Sequence, residues 1–354
     1  MSVAFNGSVV NQDACIQYTL TMSGTISVII VTYNGRALLE PCLRALFAGT
    51  HLPDEVIVVD NASSDDTIPW LAKTYPSVRV DRCAVNLGFA AANNRAIRAS
   101  SGAYLLTLNN DTEIAPDALA HLATILDDAE PTVAAVMPTM VFATSPNIIA
   151  CAGLETFTNG VVRDARVGQT MSVHHDPYPI FGPSAGAALY RRVALDDVGL
   201  FDPALFMYLE DADLAWRLRL RQWATLAVPS AIVRHKISAT AGYGSPRKAY
   251  YLARNRWWCL LKNLPRPLLR SYARDLGQYD TAALIYATLT GDHASLIGRR
   301  DAMRDIAIIL RARATTQARV TVPLNEIESW LLPSPPLVAT VQERRVIHAL
   351  IGEQ

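Results

Sequence analysis

The stretch Tyr208-Leu209-Glu210-Asp211-Ala212-Asp213-Leu214-Ala215-Trp216-Arg217 carries three carboxylates within four positions, directly ahead of an apolar, Arg-rich pattern. Leu214, Leu218 and Arg221 recur one turn apart, and so do Asp213, Arg217 and Leu220. That spacing predicts a helix from about Glu210 to Gln222 with its acids in the first turn. Acids there satisfy free N–H groups and complement the helix dipole with no further purpose. The same dipole also keeps a carboxylate ionised near neutral pH, as a fixed acceptor for a hydroxyl proton. The local pattern favours the first role; the remaining polar residues of the chain add weight to the second.

Those residues follow apolar runs. Ile26 to Thr32 is a continuous β-branched segment ending at Thr32-Tyr33-Asn34, and Glu55 to Val59 is a second, ending at Asp60-Asn61. Strands are expected at Val78 to Arg82 and Tyr104 to Leu108 as well, the latter ending at Asn109-Asn110-Asp111. Helical patterns at about Ala37 to Ala48 and Ala90 to Ala99 separate them, and this alternation predicts a mostly parallel sheet covered on both faces. In such sheets ligands sit beyond the carboxyl ends of the strands. One Asn or Asp there could be a turn-former; clusters after three strands point to a site. Neither G-x-G-x-x-G nor G-x-x-x-x-G-K-[ST] follows a strand, which argues against nicotinamide dehydrogenases and P-loop ATPases.

Further along, a helix is expected from Ala115 to Ala129, with strands at Val133 to Met137, Gly186 to Tyr190, Ala224 to Val228 and Ala231 to Val233. The last delivers Arg234-His235-Lys236. Between Pro146 and Pro183 the chain is Gly/Pro-punctuated and contains His174 and His175, which mark either a pair of solvated surface side chains, the plainer reading, or a loop over the edge of the site.

Composition bounds the partners. Lys plus Arg equals Asp plus Glu at 32 each, so no overall field attracts nucleic acid, and any basic attraction is local. Cys15, Cys42, Cys83, Cys151 and Cys259 are odd in number and never paired as C-x-x-C, which fits a reducing compartment better than a disulfide framework or a zinc site. No apolar run reaches the roughly 18 residues of a spanning helix, so the expected location is cytoplasmic, free or peripheral on the inner face of the membrane. Three regions are expected: a polar leader over 1–24, with Met22 an alternative start, an α/β domain over 25–242, and a helical C-terminal region over 243–354. Helices are expected at Leu268 to Leu289, Arg299 to Arg313 and Val338 to Ile351. From Lys248 to Arg274 basic residues interleave with Trp, Tyr and Leu, a composition that serves a membrane surface or helix packing equally.

Residues Thr25 to Ser238 resemble the family 2 glycosyltransferases of GT-A fold, and within them the bacterial rhamnosyltransferase-like members. The resemblance rests on VTYN (Val31 to Asn34), VVDNASSD (Val58 to Asp65), NLGFAAANN (Asn86 to Asn94), LNNDTE (Leu108 to Glu113), GAALYRR (Gly186 to Arg192) and VGLFDPALFMYLED (Val198 to Asp211). Ala92 stands where the family has Gly, and Asn109 replaces the first acid of its metal-binding D-x-D region. Tyr251 to Asn255 is similar to the Y-x-x-R-N segment that follows the catalytic domain in many relatives. The resemblance implies donor contacts from Thr32, Tyr33, Asn34, Asp60, Asn61, Asn86, Gly88, Asn94, Asn109 and Asn110, with Asp60 on the base. It implies a divalent cation, Mg2+ or Mn2+, on Asp111 and His235, acceptor-side roles for Gly186 and Asp213, and Asp211 as base supported by Glu210. The implied reaction is inverting transfer of a sugar, rhamnose in the narrower resemblance, from a nucleoside-diphosphate sugar to a saccharide or lipid-linked glycan in cell-envelope polysaccharide synthesis. A nucleotidyltransferase would also use a metal and Asp but would want a Gly- and Lys/Arg-rich phosphate loop after the first strand. An inactive glycan-binding or scaffold module would have lost acids that are present here.

Overall fold

The computed structural model describes residues 24–171, 176–236 and 245–335. The leader, the pair His174 and His175 and the helix expected after Val338 lie outside them. The β-branched run Ile26–Thr32 (β1) is buried on both faces and sits inside a large sheet, as a strand with no polar face must. The chain then runs through α1 (Arg36–Phe47), β2 (Glu55–Asp60), α2 (Thr67–Thr74), β3 (Arg79–Arg82), α3 (Gly88–Ala99) and β4 (Tyr104–Leu108). Strands β4, β1, β2 and β3 are neighbours in that order and all parallel.

Beyond β4 the sheet is mixed. The elements are β5 (Thr112–Ile114), α4 (Ala118–Asp128), β6 (Val133–Phe142), β7 (Ile149–Cys151), β8 (Leu154–Phe157), β9 (Val162–Asp164), β10 (Tyr178–Pro179), β11 (Ala187–Arg191), α5 (Arg192–Val198), α6 (Glu210–Leu220) and β12 (Ala224–His235). Strand β11 lies antiparallel between β4 and β6, β12 runs parallel to β6, and β5 and β10 pair antiparallel with β12. A mostly parallel sheet is thus correct for the half that carries β1 to β4 and incorrect for the other half. There β11 returns from β6 without a crossover helix, which only an antiparallel neighbour permits, while β12 follows α5 and α6 and runs parallel to β6. The two strands expected around Val228 are one long strand with a bulge between Val228 and Ile232.

Alternate side chains of the central strands feed two cores. Ile26, Val28 and Ile30 pack with α1 and α4 residues such as Leu43 and Leu122, whereas Ile29, Ile57 and Val59 meet Ala92, Ile97, Leu214 and Leu218. The C-terminal region follows as α7 (Pro246–Asn263), α8 (Arg266–Ser271), α9 (Ala273–Thr290), α10 (His293–Arg304), α11 (Ile306–Gln317), α12 (Leu324–Glu328) and β13 (Leu331–Leu332). The two long helices expected here are each broken, at Tyr272 and at Asp305, where the Asp305 carboxylate takes the Arg254 guanidinium. Trp216 and Leu220 of α6 share a third core with Trp258, Leu260, Leu264, Leu268 and Ile309, so α7 is wedded to the helix that bears the acids. Strand β13 then pairs with β8 in a small second sheet with β9. Among the described residues Cys42, Cys83, Cys151 and Cys259 are buried free thiols, and no helix is long and apolar enough to cross a membrane.

Candidate active site

Because β1, β2 and β4 are parallel, their carboxyl ends open on one edge of the sheet. After β1, the backbone of Asn34 turns into the left-handed region (φ 47°), its N–H donates to Ser63 Oγ at 2.8 Å, and its Oδ1 accepts from Ser64 N at 2.8 Å. This staples the β1 and β2 loops together. Thr32 and Asn110 are buried and bonded to each other, Nδ2 to Oγ1 at 3.0 Å, which fixes the β4 end against the β1 end. Tyr33 stays exposed beside them. Asp60 is fully buried: Oδ1 accepts from Ser63 N at 3.1 Å, but Oδ2 has no hydrogen-bond partner. Arg82 Nε lies 3.4 Å away, within ion-pair reach yet outside bonding geometry. A buried carboxylate oxygen without a donor costs on the order of 1–3 kcal/mol, so Asp60 is poised for an N–H or O–H that the protein does not supply.

The same argument picks out Asp111. It is 8% exposed, its Oδ1 has no hydrogen-bond donor, and His235 Nε2 from the end of β12 stands 3.2 Å from it. Antiparallel pairing of His235 with Thr112 makes this approach a consequence of sheet register. A carboxylate and an imidazole with lone pairs so close need a shared proton or cation between them. Hard divalent cations accept one or two protein ligands when phosphate oxygens and water complete the shell. The pair therefore fits such an ion, although no group of three His, Cys, Asp or Glu converges among the described residues. Asn109 sits half-buried beside it, its N–H donating to Gly186 O at 2.8 Å.

Asp211 comes from the first turn of α6. Its Oδ1 accepts from Ala212 N at 2.8 Å and its Oδ2 from Ala185 N, just ahead of β11, at 3.3 Å. Burial and the charge of Asp164 raise its pKa to about 6, against the opposing pull of these N–H groups. Glu210 is more deeply buried, and burial followed by the Asp211 charge pushes its carboxyl well above the ordinary range. With a pKa of about 6 Asp211 is ionised at neutral pH, while burial favours the neutral form of Glu210 beside it. Asp164, at the end of β9, was not foreseen. It lies exposed at the strand's end, bonds the Cys151 thiol and interacts with Asp211, His235 and Lys248. Its signal is purely tertiary, since it lies in a Gly-punctuated stretch with no period.

The loop that delivers Asp211 is strained. Phe206, Tyr208 and Leu209 have φ of 62°, 66° and 64°. Asn255 of α7, fully buried, donates through Nδ2 to the carbonyls of Leu205 (2.9 Å), Met207 (2.9 Å) and Tyr208 (2.8 Å), while its Oδ1 accepts from Arg254 Nη1 at 2.9 Å. Arg254 also donates to Ala204 O at 2.9 Å, and Tyr251 stacks on Phe206 with ring centroids 5.4 Å apart. The Tyr251 to Asn255 segment is thus a clamp on residues 204–208. Across the loop, a Cβ on Gly88 (φ 77°) would come within 2.6 Å of the Phe206 ring and carbonyl, so only glycine fits.

Several expected ligands are instead occupied by the protein. Asn94 spends both ends of its amide on Phe201, donating to O at 2.7 Å and accepting from N at 3.0 Å. Asn61 donates to Asn86 Oδ1 at 3.0 Å and accepts from Leu87 N at 2.7 Å, a latch that shapes the Gly88 turn. Gly186 is buried, and a Cβ there would press Met140 at 3.2 Å. Asp213 is corrected outright: it is 0% exposed and consumed by Arg217 Nε (2.9 Å), Lys262 Nζ (3.0 Å) and Asn263 Nδ2 (2.8 Å). Burial alone would raise its pKa, but the charges of Lys262 and Arg217 prevail and hold it near about 2. It anchors α6 to α7 and cannot touch an acceptor. Ala92, where glycine was usual, is accommodated in the core beside Ile29.

Residues 27–199 match the family model described as "Glycosyl transferase family 2". The N-acetylglucosaminyl-diphospho-decaprenol L-rhamnosyltransferase of Mycobacterium tuberculosis is 28% identical over 247 residues, covering 62% of this chain and 78% of that protein. Among solved structures, GalNAc-T7 with UDP, GalNAc and Mn2+ superposes with a TM-score of 0.54 at 18% identity, over 76% of this chain and 58% of that one. S. aureus TarS 1-349 in complex with UDP-GlcNAc gives 0.51 at 17% identity, over 84% of each chain. These likenesses show the fold, the GT-A type, with a mixed sheet flanked by helices and a helical C-terminal region.

Proposed function

Since the chain belongs to glycosyltransferase family 2 and is a glycosyltransferase, we propose that it moves a sugar from a nucleoside-diphosphate sugar to a hydroxyl of a saccharide carried on a lipid diphosphate. The observation that carries this reading is the conjunction of Asp211, ionised and held by two backbone N–H groups, with Asp111 and His235, where Asp111 Oδ1 is left without a donor. The donor base would lie over the β1 and β2 ends, giving the orphan Asp60 Oδ2 its missing N–H and the exposed ring of Tyr33 a planar partner. Asp111 and His235 would hold Mg2+ or Mn2+, which supplies positive charge to the leaving diphosphate. GalNAc-T7, solved with UDP, GalNAc and Mn2+, supports that choice.

Asp211 takes the proton from the acceptor hydroxyl as its oxygen attacks the anomeric carbon, and a single attack inverts the configuration. The Ala185 and Ala212 N–H groups aim the carboxylate. Rhamnose as the sugar and a GlcNAc-diphospho-lipid as the acceptor are supported by the name of the mycobacterial relative. The test is a panel of nucleoside-diphosphate sugars, rhamnose included, each with Mg2+ or Mn2+, read first by thermal shift and then by transfer to a GlcNAc-diphospho-lipid. One donor should raise the melting temperature and give product of inverted anomeric configuration by NMR. Absence of any stabilising donor, or product of retained configuration, would overturn the proposal.

A further inference from the structure

The apolar side chains between Lys248 and Arg274 that suggested a membrane contact are largely spent on packing: Trp258, Leu260, Leu264 and Leu268 are each at most 4% exposed. The exposed apolar side chains lie one layer further out. Leu289 is 81% exposed and Ile285 56% on α9, Ile297 42% on α10, and Ile308 53% and Leu310 50% on α11. Thr281 to Gly291 contains no charged residue at all. On α9, Thr281, Leu284, Ile285, Thr288 and Leu289 are all exposed at helical spacing, so the uncharged stripe faces outward.

Charge is sorted by sign across these helices. Between residues 264 and 320, Arg266, Arg270, Arg274, Arg300, Arg304, Arg311 and Arg319 are exposed, whereas no Asp in that range is. The acids there are half-buried and engaged: Asp280 pairs with Arg256 and Arg299, Asp305 with Arg254, Asp301 with the exposed Arg300, and Asp275 accepts from Thr158 at 2.6 Å. A surface that joins exposed apolar side chains to exposed arginines disfavours two partners. A second copy meeting it about a two-fold axis would set arginine against arginine. Nucleic acid would meet the arginines but offer no apolar interior to the leucines and isoleucines.

We infer that the outer faces of α9, α10 and α11 dock on an anionic lipid surface, with Ile285 and Leu289 entering the acyl boundary and the arginines meeting headgroups. The inference deepens the lipid-carried acceptor of the proposed function and rests on that reading for its purpose, but binding itself is read without donor or acceptor. The experiment is co-sedimentation of the full chain with phosphatidylcholine vesicles, with or without phosphatidylglycerol, at low and high salt.

Partition is expected on the anionic vesicles only and should weaken with salt. The double variant Ile285→Asp/Leu289→Asp should lose about tenfold or more, since withdrawing one such side chain from water is worth about that factor. Arg300→Glu/Arg311→Glu should lose binding and its salt dependence together. Both pairs are exposed, so circular dichroism should be unchanged, and transfer to a water-soluble acceptor should persist. Failure of every form to sediment with anionic vesicles would overturn the inference while leaving transfer to the soluble acceptor intact. So would equal binding by wild type and both variants, or wild-type self-association in sedimentation velocity that Ile285→Asp/Leu289→Asp abolishes without changing vesicle binding.

Discussion

Asn255 makes no contact with either expected substrate, yet its loss should cost more rate than most residues nearer the site. Its two amide hydrogens serve three carbonyls, those of Leu205, Met207 and Tyr208, all at 2.8–2.9 Å, inside a fully buried position. The loop they hold has three non-glycine residues at positive φ, each costing on the order of 1–3 kcal/mol and kept only because its surroundings over-determine it. In Asn255→Ala three buried carbonyls lose a donor at about 1–3 kcal/mol each, partly recovered by water, so a net loss of about 2–4 kcal/mol in stability is expected. That is comparable to the strain, and the loop should relax and carry the first turn of α6 with it. A displacement of about 1 Å at Asp211 would lower kcat on the order of a hundredfold. Donor affinity should change by less than about threefold, because Asp60 and Asp111 sit on other elements, a difference under 1 kcal/mol. Steady-state transfer kinetics, donor calorimetry and denaturant unfolding measure the three quantities separately. Asn255→Asp, which sets a carboxylate against the same carbonyls, should be worse in both kcat and stability. If Asn255→Ala unfolds at lower denaturant but keeps kcat within about threefold, the clamp is structural only and the argument is refuted.

The acid limb of kcat/KM should have its midpoint near about 6, because burial and then the Asp164 charge raise Asp211; Asp164→Asn should move that midpoint down, and an unmoved profile would separate the two acids. Asp111→Ala should weaken nucleoside-diphosphate binding in the presence of Mn2+ and abolish the difference made by adding the ion, which calorimetry with and without Mn2+ reads directly. Asp213→Asn should cost about 3–5 kcal/mol in unfolding free energy, the usual result of breaking a buried ion pair on one side. With its folded pKa lowered to about 2 from 3.8, Asp213 contributes stability above pH 3.8 that is lost as pH falls through about 2. The variant should therefore flatten the acid end of the wild-type stability curve, and parallel curves would contradict the assignment.

What the sequence made legible follows physical range. Strands β1, β2 and β4 announce themselves because a strand buried on both faces must be a β-branched or apolar run, and the polar residues at their ends share an edge because parallel strands do. The mixed half of the sheet was not legible, since the reversal of β11 depends on pairing with β4 and β6 across some 50 to 80 residues of chain. Type and spacing likewise singled out Asp60, Asp111, Asp211 and His235, and the structure leaves oxygens of Asp60 and Asp111 without a donor, but Asn94 and Asp213 carry the same local signature and are consumed by Phe201 and by Arg217 with Lys262. No short-range pattern distinguishes an amide that binds a ligand from one that binds a carbonyl. Asp164 and Asn255 were invisible as site residues for the converse reason: each acts through partners about 50 residues away or more in sequence.

The central claim is that Asp211 is the base of a sugar transfer, and Asp211→Asn tests it most directly. The amide keeps the shape and cannot accept the proton, so the rate of transfer should fall by a factor on the order of 10²–10⁴. Donor affinity, measured by calorimetry on the same preparation, should stay within about threefold. A loss of donor affinity as large as the loss of rate would make Asp211 a structural residue or a cation ligand, and retention of the rate would remove it from the chemistry.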